Sequence, residues 1–306
     1  MFSSIGCCAR SGGDAPPEKL LGAAPPWRAD RGAPRDGQAR GVTIVTGITA
    51  ALVGLGTILA AATLVWMIGV RLRDAGIADI FWGLGFVLLV WLYCFLSPTL
   101  TPRSWLVAVL ITLWGARLSW HIFRRNHGSG EDPRYQAMRA SHGPAFWWRS
   151  LFTVFWLQGA ILWFVGLPLL VAVRAAQPSA LTAVDGLGVF LFAVGFGFES
   201  VGDHQLERFR AEPSNRGNVL DTGLWRYTRH PNYFGDATMW WGMYAFAAST
   251  PAGWLTVLSP ALMTVLLMRV SGVTLLEDGL KASKPGYRTY IARTPAFFPW
   301  FPRGPK

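Results

Sequence analysis

Apolar runs about as long as a membrane-crossing helix recur along this chain, and few architectures other than a membrane-embedded helical bundle can shield them. A spanning helix needs roughly 20 predominantly apolar residues. The first such run covers about Val42 to Val70 and ends at Arg71 and Arg73. A second extends from about Ile77 to Leu96, closed by Ser97-Pro98, and a third from about Trp105 to Phe123, closed by Arg124 and Arg125. The fourth covers about Leu151 to Val173, after the interface-like pair Trp147-Trp148, and the fifth about Leu181 to Val201. Tyr233 to Val270 is apolar again, and the break at Ser249-Thr250-Pro251 and Gly253 divides it into a hairpin of two helices. The expected fold is an all-α, polytopic membrane bundle of about seven spans, with six as the alternative.

Composition agrees. Of 306 residues, 52% are hydrophobic and 15% charged, with 16 Trp and 19 Phe, which lies outside the norm for soluble domains. The formal charge of +11 invites a nucleic-acid reading. That reading is rejected, because Lys and Arg fall in short clusters between apolar runs, as loops facing an anionic leaflet would have them. Loops after spans one, three and five, and the tail Ser271 to Lys306, carry most of these residues. The opposite loops hold little more than Arg103 and Arg174. The positive-inside rule therefore places the tail and the long polar loops in the cytosol, where soluble cofactors are. Residues 1–41, rich in Pro, Gly, Ala and Arg without apolar periodicity, read as a disordered extension. Cys7, Cys8 and Cys94 give neither a disulfide framework nor a metal pattern, and five His are too few for a membrane di-iron site, so no metal is expected. Gly195 and Gly197, like Gly54 and Gly56, read as close-packing positions for helices.

The polar stretch before the sixth span concentrates the chemistry. It runs from Asn215-Arg216-Gly217 through Asp221-Thr222-Gly223-Leu224-Trp225 to Arg229-His230-Pro231-Asn232-Tyr233-Phe234-Gly235-Asp236. Pro231 suits the first turn of a helix, where its missing N–H is harmless. Arg229, Asn232, Tyr233 and Asp236 then fall close to one face, at offsets of three, four and seven. Exposed amides and the positive dipole end beside Arg226 and Arg229 suit a phosphate or other anionic group. Asn232 and Asp236 lie within the membrane end of that helix, where uncompensated polar groups are expensive and need a partner or a ligand.

These motifs resemble the C-terminal signature of the steroid 5α-reductase-like membrane proteins, and more narrowly the DUF1295 branch. The similarity takes in Asp79-Ile80-Phe81-Trp82-Gly83, Leu113-Trp114-Gly115-Ala116-Arg117, Gly130-Glu131-Asp132-Pro133-Arg134-Tyr135, Arg269-Val270-Ser271-Gly272-Val273, Leu275-Leu276-Glu277, Lys284-Pro285-Gly286-Tyr287 and Phe298-Pro299-Trp300. It covers about residues 42–302, with 203–302 as the cofactor-binding half. The resemblance implies an NADPH-dependent reduction of an activated carbon–carbon double bond in a lipid-like substrate held between helices. It also implies roles for residues. Asn232 matches the cofactor-pocket Asn of the reductases, and Asp236 the acidic residue four places on. Arg210, Arg216, Asp221, Trp225 and Arg229, with His230 and Tyr233, fall in the segment that holds the cofactor. Glu277, Tyr287 and Arg288 fall where relatives close the pocket. The Glu–Tyr pair that holds the ketone in the steroid enzymes finds no aligned counterpart, which leaves Asp79, Tyr135 and Glu199 as candidate proton donors or carbonyl holders. Isoprenylcysteine carboxyl methyltransferases share the Arg-His-Pro-Asn-Tyr element, so S-adenosylmethionine is the alternative cofactor. Arginines at 210, 216, 226, 229 and 288 favour the 2′-phosphate of NADPH. A transporter or non-catalytic membrane protein is the reading from another class; the internal repeat such proteins often carry is not found here.

Overall fold

The computed structural model describes residues 36–304 apart from Ser129, 271–276, 278 and 282, with side chains from Thr46 onward except at Val270. Most of the expected extension, with Cys7 and Cys8, lies outside the described residues, as do Ser271-Gly272-Val273 and Leu275-Leu276 of the motifs above. The described residues are helical and include no strand. Helix α1 (Asp36–Leu72) begins six residues ahead of the expected first span. It is followed by α2 (Ile77–Phe95), α3 (Pro102–Asn126), α4 (Pro133–Val165), α5 (Leu167–Arg174), α6 (Ala183–Ala211), α7 (Pro231–Ala248), α8 (Gly253–Arg269) and the short α9 (Tyr287–Arg293).

Five of these, counting the Thr46–Leu72 part of α1 with α2, α3, α4 and α6, are long and apolar enough to cross a membrane. Their outer faces carry exposed Leu52, Leu64, Phe95 and Phe190, which in water would be a large apolar patch and in lipid are at home. Helix ends follow local rules. Thr101 and Ser104 form a capping box at α3, and Thr182 and Asp185 form another at α6. Pro102, Pro133 and Pro231 occupy first-turn positions. The fourth span departs from expectation at both ends. Helix α4 starts 18 residues earlier, at Pro133, passes through a π-helical turn at Leu151–Trp156, and stops at Gly166. Pro168 has no N–H to continue the ladder, so Leu167–Arg174 forms a helix of its own.

Glycines set the closest contacts. A Cβ on Gly195 of α6 would sit 2.4 Å from the Gly235 carbonyl oxygen of α7, and one on Gly235 would sit 2.5 Å from the Gly195 oxygen and the Glu199 nitrogen. Backbones therefore touch where α6 crosses α7, which brings polar side chains of the two helices into reach. Gly54 meets the Tyr93 ring in the same way, whereas Gly56 and Gly197 face open space. Phe86, Trp114 and Trp240 bind α2, α3 and α7 together at centroid distances of 4.5 to 5.7 Å. The end opposite the basic loops is closed by Arg103 and Asp185, both about 1% exposed, joined through Nε at 2.7 Å and Nη2 at 2.9 Å. Carbonyls of Pro178 and Ala180 and the Ser249 hydroxyl complete that cluster.

Candidate functional site

A cavity of about 390 Å³ opens at the basic end, between the end of α6, the segment before α7, the first turn of α7 and residues 280–290. Its size is that of a small-molecule or cofactor site. Arg210, Trp225, Arg229, His230, Asn232, Tyr233 and Tyr287 line it, so seven of the expected cofactor residues converge on one space. Asp132 and Arg134, from the Gly130–Tyr135 motif, and Phe209 and Lys284, from the 203–302 half, add to the wall.

Arg229 is placed differently from a free anion holder. Its Nε donates to Glu277 Oε1 at 2.7 Å, Nη1 donates to the Thr294 carbonyl at 2.6 Å and the Ile291 carbonyl at 3.3 Å, and its backbone N–H reaches Pro295 O. His230 Nε2 lies 3.2 Å from the same Glu277 oxygen, and its ring stacks parallel to Tyr233 with centroids 5.4 Å apart. Burial alone would raise the Glu277 carboxyl, but hydrogen bonds from His230 and Arg229 outweigh it and hold the group at about 2. Burial and the Glu277 charge push Tyr287 up to about 12, so its hydroxyl keeps a proton to donate. His230 (φ −140°, ψ 65°) is not helical, which takes Arg229 off the helical repeat and turns it toward the tail.

Asn232 and Asp236 turn instead toward α6. Asn232 Nδ2 donates to Asp203 Oδ1 at 3.1 Å. Arg117 of α3 donates to the other Asp203 oxygen at 2.7 Å and to Glu199 Oε1 at 2.8 Å, and Trp114 Nε1 donates to Glu199 Oε2 at 2.8 Å. His121 Nε2 stands 3.7 Å from Asp203. Asp236 Oδ1 and Trp240 Nε1 are buried without a hydrogen-bond partner. One line of polar contacts thus runs from the cavity wall at Asn232 into the bundle. Arg117 was not among the residues singled out from sequence. Its signal was present, since a lone arginine inside an apolar span demands a buried partner.

The three candidate donors separate into two places. Tyr135 Oη donates to Asp79 Oδ1 at 2.7 Å and accepts from Gln158 Nε2 at 3.0 Å, while Glu199 sits in the Arg117 network. Arg134 connects the first pair to the cavity: it donates to Asp79 and Asp132 and lines the wall beside Tyr233. Hydrogen bonds from the Arg134 side chain pull the Asp132 carboxyl below its ordinary range. Glu131 anchors the same loop, accepting from the Ala75 N–H and from Arg139. Asp221 lines a neighbouring cleft rather than the cavity, and Arg216 and Arg288 are exposed and line neither.

Residues 65–294 match the family model described as protein of unknown function DUF1295. The chain belongs to the DUF1295 family. That match takes in all the expected site residues, from Asp79 on α2 to Arg288 on α9. The sequence is also 27% identical over 222 residues to the uncharacterised protein C594.04c of Schizosaccharomyces pombe. That similarity covers 64% of this chain and 63% of the yeast protein, less than two thirds of its length. No solved structure matches this DUF1295 chain.

Proposed function

We propose that this protein is an integral membrane oxidoreductase that uses NADPH to reduce an activated carbon–carbon double bond of a lipid-like substrate. In this reading α7 and α8 also cross the membrane, giving seven spans, and the basic end with the tail faces the cytosol. The observation that carries it is the cavity whose basic, aromatic wall continues, through Asn232, into a buried network holding Glu199, Asp203 and Asp236. Cytosolic cofactor and membrane substrate would meet at that junction.

The wall suits a dinucleotide. Arg210 forms no ion pair with another described residue, and Lys284 adds positive charge for phosphates. Phe209, Trp225 and Tyr233 offer ring faces and edges. Bound NADPH supplies a hydride to the electron-poor carbon of the alkene, and the neighbouring carbon takes a proton. Tyr135 holds a proton at Oη against Asp79, with Gln158 fixing the hydroxyl, and Glu199 is the second candidate donor. Arg117 and Trp114 fix the Glu199 carboxyl by both oxygens. Arg229 acts within the wall, by tying the tail to the start of α7.

One observation favours a second reading. Glu199, Asp203 and Asp236 outnumber Arg117 in the buried network, and such an acidic surplus suits the cationic sulfonium of S-adenosylmethionine, hence a methyltransferase. Thermal stability of the detergent-purified protein with NADPH, NADH and S-adenosylmethionine separates the two. The oxidoreductase reading expects stabilisation by NADPH, and loss of NADPH absorbance on adding enone lipids. Stabilisation by S-adenosylmethionine without any by NADPH would sink it.

A further inference from the structure

The chain after α9 presents a set of aromatic rings that the other described residues leave largely uncovered. Phe298, Trp300 and Phe301 are 67%, 72% and 73% exposed, and the half-exposed Tyr227 ring stands edge-on to Phe301 at 6.0 Å. The backbone that carries them is held. The Trp300 N–H donates to Tyr227 O at 2.9 Å, and the Arg303 N–H donates to Arg293 O at 2.9 Å. Pro299 and Pro302 restrict the chain between those points, and the Thr228 hydroxyl donates to Phe297 O at 2.8 Å just ahead of them. An outward apolar patch on a fixed backbone marks an interaction surface.

Continuity and charge identify what covers it. Phe298 packs against Phe234 of α7 at 6.3 Å, and Phe234 packs against Phe198 of α6 at 5.1 Å. Helix α6 is long and apolar enough to cross a membrane. Exposed Leu187 and Val201 lie on the side of α6 that carries Phe198. The tail rings therefore prolong the outward apolar surface of a span. Arg293 and Arg303 stand beside them, exposed, and neither forms an ion pair with another described residue. Orientation of the bundle by basic loops asks for arginines alone. Arginines set among exposed Trp and Phe are the composition of a segment lying in the headgroup layer. The depth follows from the backbone: peptide groups outside a helix need water, which the headgroup layer offers and the hydrocarbon does not.

We infer that residues 298–303 form a lipid-binding hook, seated in the headgroup layer of the bilayer that holds the helices. Phe298, Trp300 and Phe301 enter that layer, and Arg293 and Arg303 take the phosphates of anionic phospholipid. The surface does not rest on the proposed reaction. It does bear on the cavity, because the Thr294 carbonyl that accepts from Arg229 lies in the chain leading to the hook.

A nitroxide on Gly304→Cys reads the surroundings of the hook with every ring and arginine kept, in the full chain with Cys7, Cys8 and Cys94 changed to Ala. A side chain at Gly304 meets open space. Ser214→Cys is the water-side reference, since α6 runs on from Val201 to Ala211, about 15 Å, before the chain reaches it. In vesicles of phosphatidylcholine with phosphatidylglycerol, collisions with oxygen should exceed those with a water-soluble nickel chelate several-fold at Gly304, and the order should reverse at Ser214. Trp300→Ser/Phe301→Ser should bring the Gly304 label to the Ser214 pattern. Omitting phosphatidylglycerol should weaken the preference for oxygen with the hook intact, but not in Arg293→Gln/Arg303→Gln. The label on the intact hook decides the matter even if a double variant fails to fold. A Gly304 label as open to the nickel chelate as Ser214 overturns the inference. So does a label shielded from both reagents, because a second copy or another protein then covers the rings.

Discussion

Arg229 and Glu277, 48 residues apart in sequence, meet at 2.7 Å with both side chains about 9% exposed, and that pair fastens the segment before α7 to the chain that follows α8. Removing one member of such a buried pair leaves the other uncompensated, at a loss of roughly 3 kcal/mol. Glu277→Ala should therefore lower the thermal midpoint in detergent clearly, and Glu277→Gln less, because an acceptor remains. The pH dependence has a definite sign. The folded Glu277 lies at about 2 against an ordinary 4.5, so its contribution is present above the ordinary value and is lost as pH falls through the folded one. Wild type should lose stability more steeply than Glu277→Gln between those two values. Parallel curves would remove Glu277 from the account.

Arg117 holds two carboxylates, Glu199 and Asp203, at once. Arg117→Gln leaves both without their cation inside the bundle and should destabilise by about 3 kcal/mol. Adding Glu199→Gln to that variant should restore part of the loss, since it removes one carboxyl left without its partner. Thermal unfolding of the single and double variants measures this; simple additivity would mean that the two side chains are not coupled.

Gly195→Ala should part α6 from α7, because the new Cβ would meet the Gly235 carbonyl at 2.4 Å and neither backbone can yield cheaply. A loss of roughly 1–3 kcal/mol is expected. Gly197→Ala, two residues on and facing open space, should be neutral or stabilise by up to about 1 kcal/mol through helix propensity. The contrast is read as monodisperse yield and melting temperature.

Tyr135→Phe removes the hydroxyl that joins Asp79 to Gln158. If Tyr135 protonates the substrate, turnover should fall by roughly 10² or more while NADPH affinity stays within a few-fold. A fall in NADPH affinity with turnover per bound cofactor preserved would make Tyr135 a support for Arg134 instead.

Much of this architecture is legible in the sequence because membrane helices are specified locally. Apolar length, the basic residues after Leu72 and Phe123, and the first-turn prolines act within one segment. The convergence of Arg210, Trp225, Asn232, Tyr233 and Tyr287 on one cavity follows from motifs close together in the last third. What the sequence hides is pairing at a distance. Arg229 reads as an anion holder until Glu277 is seen beside it, and which partner Asn232 takes, Asp203, is not written near it in the sequence. Arg117 escapes for a related reason: its two partners lie more than 80 residues away, on a helix whose approach depends on glycines. The fourth helix is misjudged at its ends because the polar stretch 133–150 is helical without being apolar, and because the Gly166 break divides an apolar run.

The clamp on Arg229 also orders events in time. Its carbonyl partners, Ile291, Thr294 and Pro295, leave the ribosome after the long apolar helices among the described residues have been made. A nascent chain halted before Ile291 would be threaded into the bilayer yet possess only part of its cavity. Residues 291–295 thus complete this side of the cavity after the helices that precede them, and a chain cut before Ile291 would keep those helices around an unfinished cavity.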